Sequence, residues 1–479
     1  MKSRSSYSLI LLIFAAVLLT SCASRSVLRF DTLFEVTGRG DFSTAIRTIQ
    51  HKPGLYGKTN RFLYNMDIGV LYHFAGRFDS SNVYLLKAAD IYDQLFTRSI
   101  SNEAVSMLTN DNVRPYRSKP YELVLCHQFI ALNYLAEENV DDAVVEAKRT
   151  QLLFNEWERK GYKDGKYSTD GMFHFLSSLA FDAQGQTDDA MISLYNAVKA
   201  FQNGPVALPP EVNNFAYHMF RKNDRMSDAE QLKIVPNQGI ADWENFGNEE
   251  SEIVVIGYAG KGPVIREQVW WGTYVKDGLL VLNYTPPDGQ MQTITMPAPS
   301  LPPEEYEKAA KGKKTRSGTT FHIKVALPVL QVFPSETDHF TIQGNCVKGS
   351  VKTFIINDLG KQAQKQMDDT HAATVARTVI RVVLRTIAAQ KTKEELKTSS
   401  PVANLLLNIG TDILADQLEK ADTRNCFLIP QTVQVARIPV KPGIYTIEIG
   451  AKNRTGGLLG SKTFTDITVG RHQKKLVFY

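Results

Sequence analysis

Apolar positions fall into two regimes along the chain. Before about residue 220 they recur at helical spacing around a small residue. Ile68-Gly69-Val70-Leu71-Tyr72 is followed by Gly76, Phe78, Ser81, Leu85 and Ala88. The same offsets return at Ala131, Tyr134, Ala143 and Ala147, and again at Ser178, Phe181, Gly185, Ala190, Leu194 and Ala197. A partial copy stands at Gly40, Phe42, Ala45 and Ile49. Each copy predicts two helices joined by a tight turn. From Glu252 the period changes to two. Ile253-Val254-Val255-Ile256 reads as a buried strand, and Asp277-Gly278 as a hairpin turn between Tyr274-Val275 and Leu279-Leu280-Val281-Leu282. Phe321, Ile323 and Val325 alternate with polar residues, as do Tyr445, Ile447 and Ile449. Further strands are expected at Val433–Val435, Phe464–Val469 and Leu476–Tyr479. A helical pair is predicted inside this β region, at about 369–396 and 401–420.

The helical offsets resemble the tetratricopeptide repeat, in which a glycine or alanine lets two antiparallel helices touch while a large residue fills the groove between them. On that resemblance Gly69, Tyr72, Ser81, Ala131, Tyr134, Ala143, Phe181 and Ala190 are the repeat-packing residues. Ala45, Ser81, Ala143 and Ala190 are separated by 36, 62 and 47 positions, so insertions are expected near 98–120 and 156–169. The large aromatic early in the repeat is replaced by Asn65, His127 and His174. Such degenerate repeats imply a compact bundle rather than an open superhelix. Repeats of this kind bind extended peptides or other proteins in a concave groove. Asp141, Asp142, Glu146, Lys148 and Arg149 either line one or form a solvated helix face.

The first residues set the address. Lys2 and Arg4 precede an apolar run from Ser8 to Leu19, too short to span a bilayer, and Leu19-Thr20-Ser21-Cys22 follows. That ending resembles the bacterial lipobox. It implies cleavage before Cys22, acylation of its thiol and a mature chain anchored by its N-terminal lipid. No acidic residue occurs in Ala23-Ser24-Arg25-Ser26, which in similar lipoproteins favours the outer membrane, periplasmic side.

Composition narrows the function. With 43% hydrophobic and 10% aromatic residues the chain can bury real cores, and a formal charge of +5 marks no acidic partner and no nucleic acid. Cys126 lies in an apolar helical pattern. Cys346 and Cys426 are a candidate disulfide pair in an oxidising compartment. Arg377, Arg381 and Arg385, four residues apart on the inserted helix, form either a candidate contact for an anionic surface or a solvated face paired to acids. Lys311-Gly312-Lys313-Lys314-Thr315-Arg316 reads as a flexible loop, and Gly257–Pro263 as a strand-ending loop rather than a phosphate site. Nine histidines are scattered without metal-ligand spacing, and no nucleophile, base and orienter recur at a known spacing. No catalytic residue, cofactor or metal is expected.

The order of parts resembles a family of bacterial tetratricopeptide-repeat-containing lipoproteins of unassigned activity. Tyr121–Val124 leading to Ala131–Leu135, Asp142–Arg149, and Ala421-Asp422-Thr423-Arg424 with Leu428-Ile429-Pro430 carry the resemblance. Relatives commonly place a tryptophan after the Asp-Thr-Arg element. Asn425-Cys426 stands here, so Cys426 can alternatively fill that aromatic's space. The expectation is an α+β multidomain protein: signal peptide 1–21, helical repeat domain 22–222, linker 223–251, and a mainly β, sandwich- or barrel-like domain 252–479 with its helical insertion at about 369–420. The resemblance implies a membrane-anchored scaffold or adaptor of the cell envelope with unidentified envelope protein partners, linked to peptidoglycan synthesis. The alternative is a solute- or glycan-binding lipoprotein using Trp157, Trp243, Trp270 or Trp271. An envelope hydrolase hidden in the β region ranks third.

Overall fold

The computed structural model describes residues 27–98, 112, 114–159, 170–237, 251–287, 289–310, 316–396 and 420–479. It is mixed α/β, with helices first. Those helices come as antiparallel pairs: α1 (Val27–Gly38) with α2 (Phe42–His51), α3 (Arg61–Phe74) with α4 (Phe78–Arg98), and α5 (Pro120–Ala136) with α6 (Val140–Arg159). Two more pairs follow, α7 (Gly171–Ala183) with α8 (Thr187–Asn203) and α9 (Pro210–Lys222) with α10 (Met226–Leu232).

Every pair turns the same way. The chain takes a left-handed conformation at Gly40, Gly76, Glu138, Gly185 and Asp224, with φ between 55 and 79°. The next residue's N–H reaches back to a carbonyl of the last helical turn: Arg77 to Tyr72, Asn139 to Tyr134, Gln186 to Phe181 and Arg225 to Phe220, all within 2.9 Å. This closure satisfies carbonyls that the helix end would leave orphaned. Five residues beyond each turn sits a buried small side chain, Ala45, Ser81, Ala143, Ala190 or Ala229. The helices of the second pair approach closely. A Cβ on Gly69 would stand 2.6 Å from the Leu85 side chain, and Ser81 Oγ donates to the Gly69 carbonyl at 2.7 Å. Of the residues expected to pack the repeats, Gly69 and Ser81 meet across their own helices, Tyr72 stacks on Tyr84, and Ala143, Ala190 and Phe181 are buried. Ala131 and Tyr134 are half-buried.

The fifth pair corrects the expected boundary. Residues 223–251 are not simply a linker, because α10 extends the helical region to Leu232. The pattern hid it, since Asp224 replaces glycine at the turn and α10 is short.

Among the described residues the β region holds three four-stranded sheets. In the first, the order is β12 (Lys474–Phe478), β1 (Ser251–Ala259), β9 (Thr432–Val440), β8 (Phe354–Asp358). Here β1 runs parallel to β12 and antiparallel to β9. The second sheet orders β11 (Leu458–Val469), β10 (Gly443–Lys452), β6 (His339–Gly344), β7 (Val351–Lys352). The third orders β4 (Gln292–Pro297), β3 (Leu279–Tyr284), β2 (Val264–Val275), β5 (Thr320–Gln331). Two helices cover one face of the third sheet: α11 (Pro303–Ala310) and α12 (Leu359–Leu396).

Three packing facts place these parts. Ile253 and Val255 of β1 join Phe340, Ile342, Ile447 and Ile449 in a core between the first and second sheets. Val254 and Ile256, on the opposite face of β1, join Leu179, Leu194, Phe215 and Phe220 in a core with the helices. The helical and β regions are thus not independently cored domains. Third, residues 421–429 return from the helical insertion into the first helical core, where Phe427 meets Phe34 edge-on at 5.3 Å beside Cys426, Leu428 and Ile429.

Other expectations change as well. The insertion begins at Leu359 rather than 369, as one 38-residue helix. Its second helix, at 401–420, lies outside the described residues except for Lys420. Cys346 and Cys426 are both free thiols. Cys346 packs against the core between the first and second sheets, whereas Cys426 is sealed in the helical core, so different packing units hold the two sulfurs apart. Cys426 is fully buried in that helical core.

The turn chemistry gives a stability prediction. Asp224→Gly should raise stability by about 0.5–1 kcal/mol by removing the side-chain penalty of a left-handed residue, and Gly76→Ala should cost about 1 kcal/mol although open space surrounds it. Denaturant midpoints of the two variants would check both signs.

Candidate functional site

The polar residues that carry chemistry gather where the helices meet the first sheet. Beyond the exposed Arg61 at its start, helix α3 is apolar except for Asn65, Asp67 and His73, and α5 except for Glu122, His127, Gln128 and Asn133; these seven are buried. Burying so many polar groups is tolerable only if they are bonded. All seven make a hydrogen bond, and four of them, His73, Asn133, Asp67 and Glu122, belong to the first two of three polar clusters that join helices and sheet.

The first cluster runs from the sheet into the helices. Tyr258 of β1 donates its hydroxyl to His73 Nε2 (2.7 Å), and His73 Nδ1–H donates to Asn133 Oδ1 (2.6 Å). Asn133 Nδ2 then donates to Ser81 Oγ (2.8 Å) and Asn82 Oδ1 (2.7 Å). The amide fixes the tautomer, because its oxygen must accept while its nitrogen donates. Phe74, Phe78, Phe129 and Phe478 enclose the imidazole, and burial lowers its pKa to about 4. His73 is therefore a neutral bridge.

The second cluster locks residues 421–426 into the helices. Arg424 grips Asp422 with Nε and Nη2 at 2.8 and 2.7 Å, and its Nη1 reaches the Arg114 carbonyl (2.8 Å) and Asn60 Oδ1 (3.2 Å). Glu122 accepts from Tyr116 OH (2.6 Å), the Lys119 backbone N–H (2.9 Å) and the Cys426 backbone N–H (2.8 Å). Nearby Asp67 accepts from Tyr56 OH at 2.7 Å. Burial pushes the Asp67 pKa up to about 8; the Tyr56 hydrogen bond opposes this and the Glu122 charge adds to it. Burial also raises the Cys426 thiol well above its usual value, with Glu122 and Asp67 adding to the rise, so it is no nucleophile.

The third cluster binds the far end of the same sheet. Glu252 of β1 receives Arg437 through Nε and Nη2 at 2.7 Å each, and Lys474 Nζ stands 3.0 Å from Glu252 and 2.7 Å from Asp182 of α7. Arg437 lies 3.9 Å over the Phe215 ring. Burial disfavours the Glu252 charge, but Arg437 and Lys474 outweigh it and hold the carboxyl at about 2.

These groups are sealed: Asp67, Glu122 and Cys426 are all 0% exposed. A substrate cannot reach them, and their chemistry is that of registration between helices and sheet. A small pocket with about 10 Å³ of free space, room for no more than a water, lies between α5, α6 and α7, where His127 bonds Glu146 beside Gln128, Thr150 and Ser177. Among the described residues no group of His, Cys, Asp and Glu could hold a metal ion, and no helix is long and apolar enough to cross a membrane.

The remaining sequence candidates separate. Cys22 lies outside the described residues. Arg377 is exposed, Arg385 half-buried and Arg381 buried, its Nη2 3.5 Å from Thr378 Oγ1, so the three do not present one open cationic line. The charged run of α6 divides too. Glu146 is buried against His127, Arg149 pairs with Asp93 (3.1 Å) and Asp90 (3.5 Å), and Asp141 and Asp142 face solvent. Sequence reasoning missed His73, Asn133, Tyr258, Asp67 and Glu122. The available signal was the polar residue inside an otherwise apolar helix.

No protein-family model matches the sequence, and no curated protein matches it. Among solved structures, the chain is similar to one described as the crystal structure of MamA, at 12% identity and TM-score 0.26, over 41% of this chain and 88% of that one. A second, described as the MamA RS-1 ArsTM double mutant, gives 12% identity and TM-score 0.27, over 43% and 90%. Likenesses this low carry no argument about fold or function.

A pH prediction follows from the buried acids. Unfolded, Asp67 ionises near 3.8; folded, near 8. Between these values the native state keeps a proton that the unfolded chain has lost, so stability falls as pH rises. His73 has the opposite sign: its contribution is complete above 6.5 and is lost as pH falls toward 4. The window from pH 6.5 to 8 therefore isolates Asp67. Stability should decline there by up to about 1.4 kcal/mol per pH unit, and Asp67→Asn should flatten the slope in urea melts across that range.

Proposed function

We propose that this chain is a lipid-anchored periplasmic scaffold of the bacterial outer membrane, tethered through Cys22, whose tetratricopeptide-like helices hold a partner protein of the cell envelope. The peptidoglycan-synthesis machinery is the partner class that the sequence resemblance favours. On this reading the β region is a sandwich-like support that fixes the helices. On the same reading Asp67, Glu122 and Cys426, all sealed from solvent, serve packing between helices and sheet rather than chemistry on a substrate.

One observation carries the proposal. Seven residues beyond the turns of the second, third and fourth helix pairs stand Val83, Val145 and Ile192, which are 51, 61 and 49% exposed. Three β-branched apolar residues in the same register, on α4, α6 and α8, are an unusual use of solvent-facing positions. Aspartates border them one helical turn earlier: Asp79, then Asp141 and Asp142, then Asp188 and Asp189. The inner face is occupied by the chain itself, through residues 421–429 and the first sheet. A partner would therefore dock on the outer face, not in the concave groove typical of such repeats.

The test uses envelopes crosslinked in cells expressing the full chain. Val83→Glu, Val145→Glu and Ile192→Glu together should leave the melting temperature nearly unchanged, because exposed substitutions cost within about 0.5 kcal/mol each. They should remove a partner that wild type captures reproducibly. Capture unchanged in the triple variant would contradict the assigned face. Cys22→Ala should release the protein from the membrane fraction, and retention in high salt would contradict the anchor.

A further inference from the structure

The third sheet has two unlike faces. Trp270, Tyr274, Leu280, Leu282, Phe321, Ile323 and Val325 pack under α11 and α12. On the opposite face Ile265 and Ala326 are buried toward one end, and toward the β2–β3 hairpin strand register orders the more exposed residues into rows. One row runs Thr293, Asn283, Trp271, Lys324 across β4, β3, β2 and β5; the next runs Thr295, Val281, Thr273, His322. Four strands at their normal spacing make each row about 14 Å wide.

Trp271 is the anomaly. Its ring is 58% exposed, whereas the indoles of Trp157 and Trp270 are buried and bonded, to Tyr92 OH at 3.0 Å and to Gln268 Oε1 at 3.1 Å. The Lys324 ammonium lies 4.8 Å from the Trp271 ring centroid, and Thr293 Oγ1 donates to Asn283 Oδ1 at 2.9 Å. The two rows thus hold one aromatic plate, short hydroxyl and amide side chains on either side, and basic groups on one strand. They contain no carboxylate. An ordinary solvent face of an antiparallel sheet accounts for the threonines but leaves a large exposed indole at its centre unexplained.

We propose that this face binds an acidic polysaccharide, with a sugar ring on Trp271 and a carboxylate at Lys324 and His322. A pyranose has an apolar C–H face suited to an indole and a rim of hydroxyls suited to Thr273, Asn283, Thr293 and Thr295. Two basic side chains, Lys324 and His322, on one strand beside the indole select an anionic sugar over a neutral one. The proposal stands apart from the helical docking surface, which lies on other elements.

The experiment is calorimetric titration of the full chain with a hyaluronan hexasaccharide, which carries uronate carboxylates, and with neutral chitohexaose. Wild type should bind the uronate oligosaccharide more tightly than the neutral one, and added salt should weaken that preference. Trp271→Ala should weaken both by about tenfold or more, Trp271→Phe should retain most binding, and Lys324→Gln should weaken the uronate ligand alone. His322→Ala, at an exposed position, tests the carboxylate subsite without disturbing the indole. No saturable binding of either oligosaccharide, or equal affinity in wild type and Trp271→Ala, would overturn the site. A preference for the neutral ligand would overturn its acidic assignment. None of these outcomes depends on partner capture by the helices.

Discussion

Burial of the first sheet on both faces is the constraint on which the rest of the structure depends. A strand whose alternate residues face two different cores must be apolar throughout, and Ile253-Val254-Val255-Ile256 meets that demand. Val254 and Ile256 serve the helices while Ile253 and Val255 serve the second sheet. A slip of one residue would exchange the two sets, so the packing of both neighbours depends on one register. Polar residues at the ends of the helix-facing row pin that register. Glu252 meets Arg437 and Lys474 at one end, and Tyr258 meets His73 at the other. Such pairs lend little net stability after desolvation, but each penalises any arrangement that leaves it unpaired.

The same constraint directs function outward. Residues 421–429 fill the first helical pairs, and the sheet backs the later ones, so their inner surface is spent on the protein's own core. What the helices offer a partner lies on α4, α6 and α8, where Val83, Val145 and Ile192 recur. The third sheet keeps its own core beneath α11 and α12. Its opposite face is open around Trp271.

Much of the local structure was legible in the sequence. Small residues at helical offsets located four helix pairs, because close helix packing demands Gly69, Ser81, Ala143 and Ala190 where backbones approach. Apolar runs and alternation located β1, β3, β5, β9, β10, β11 and β12, and Asp277-Gly278 a hairpin, whereas β4, β6, β7, β8 and most of β2 were not read. The fifth pair was hidden because Asp224 takes the left-handed position that glycine takes at Gly76 and Gly185. Long-range joints were harder to read. Nothing near Arg424 states that it will reach Arg114 and Asn60, and a histidine such as His73 looks like any core histidine until Tyr258 arrives from 185 positions away. The expected oxidising compartment likewise permitted a Cys346–Cys426 bridge that packing excludes, since the two serve different cores.

The central claim is that helices and sheets form a single cooperative unit around the first sheet. Native-state hydrogen exchange measures this directly, because amides that open only in global unfolding share one free energy. The account predicts that the slowest amides of β1, including Val254 and Ile256, and those of α3 and α5 exchange with the same opening free energy and the same denaturant dependence. Two well-separated sets of values, one for the helices and one for β1, would contradict it.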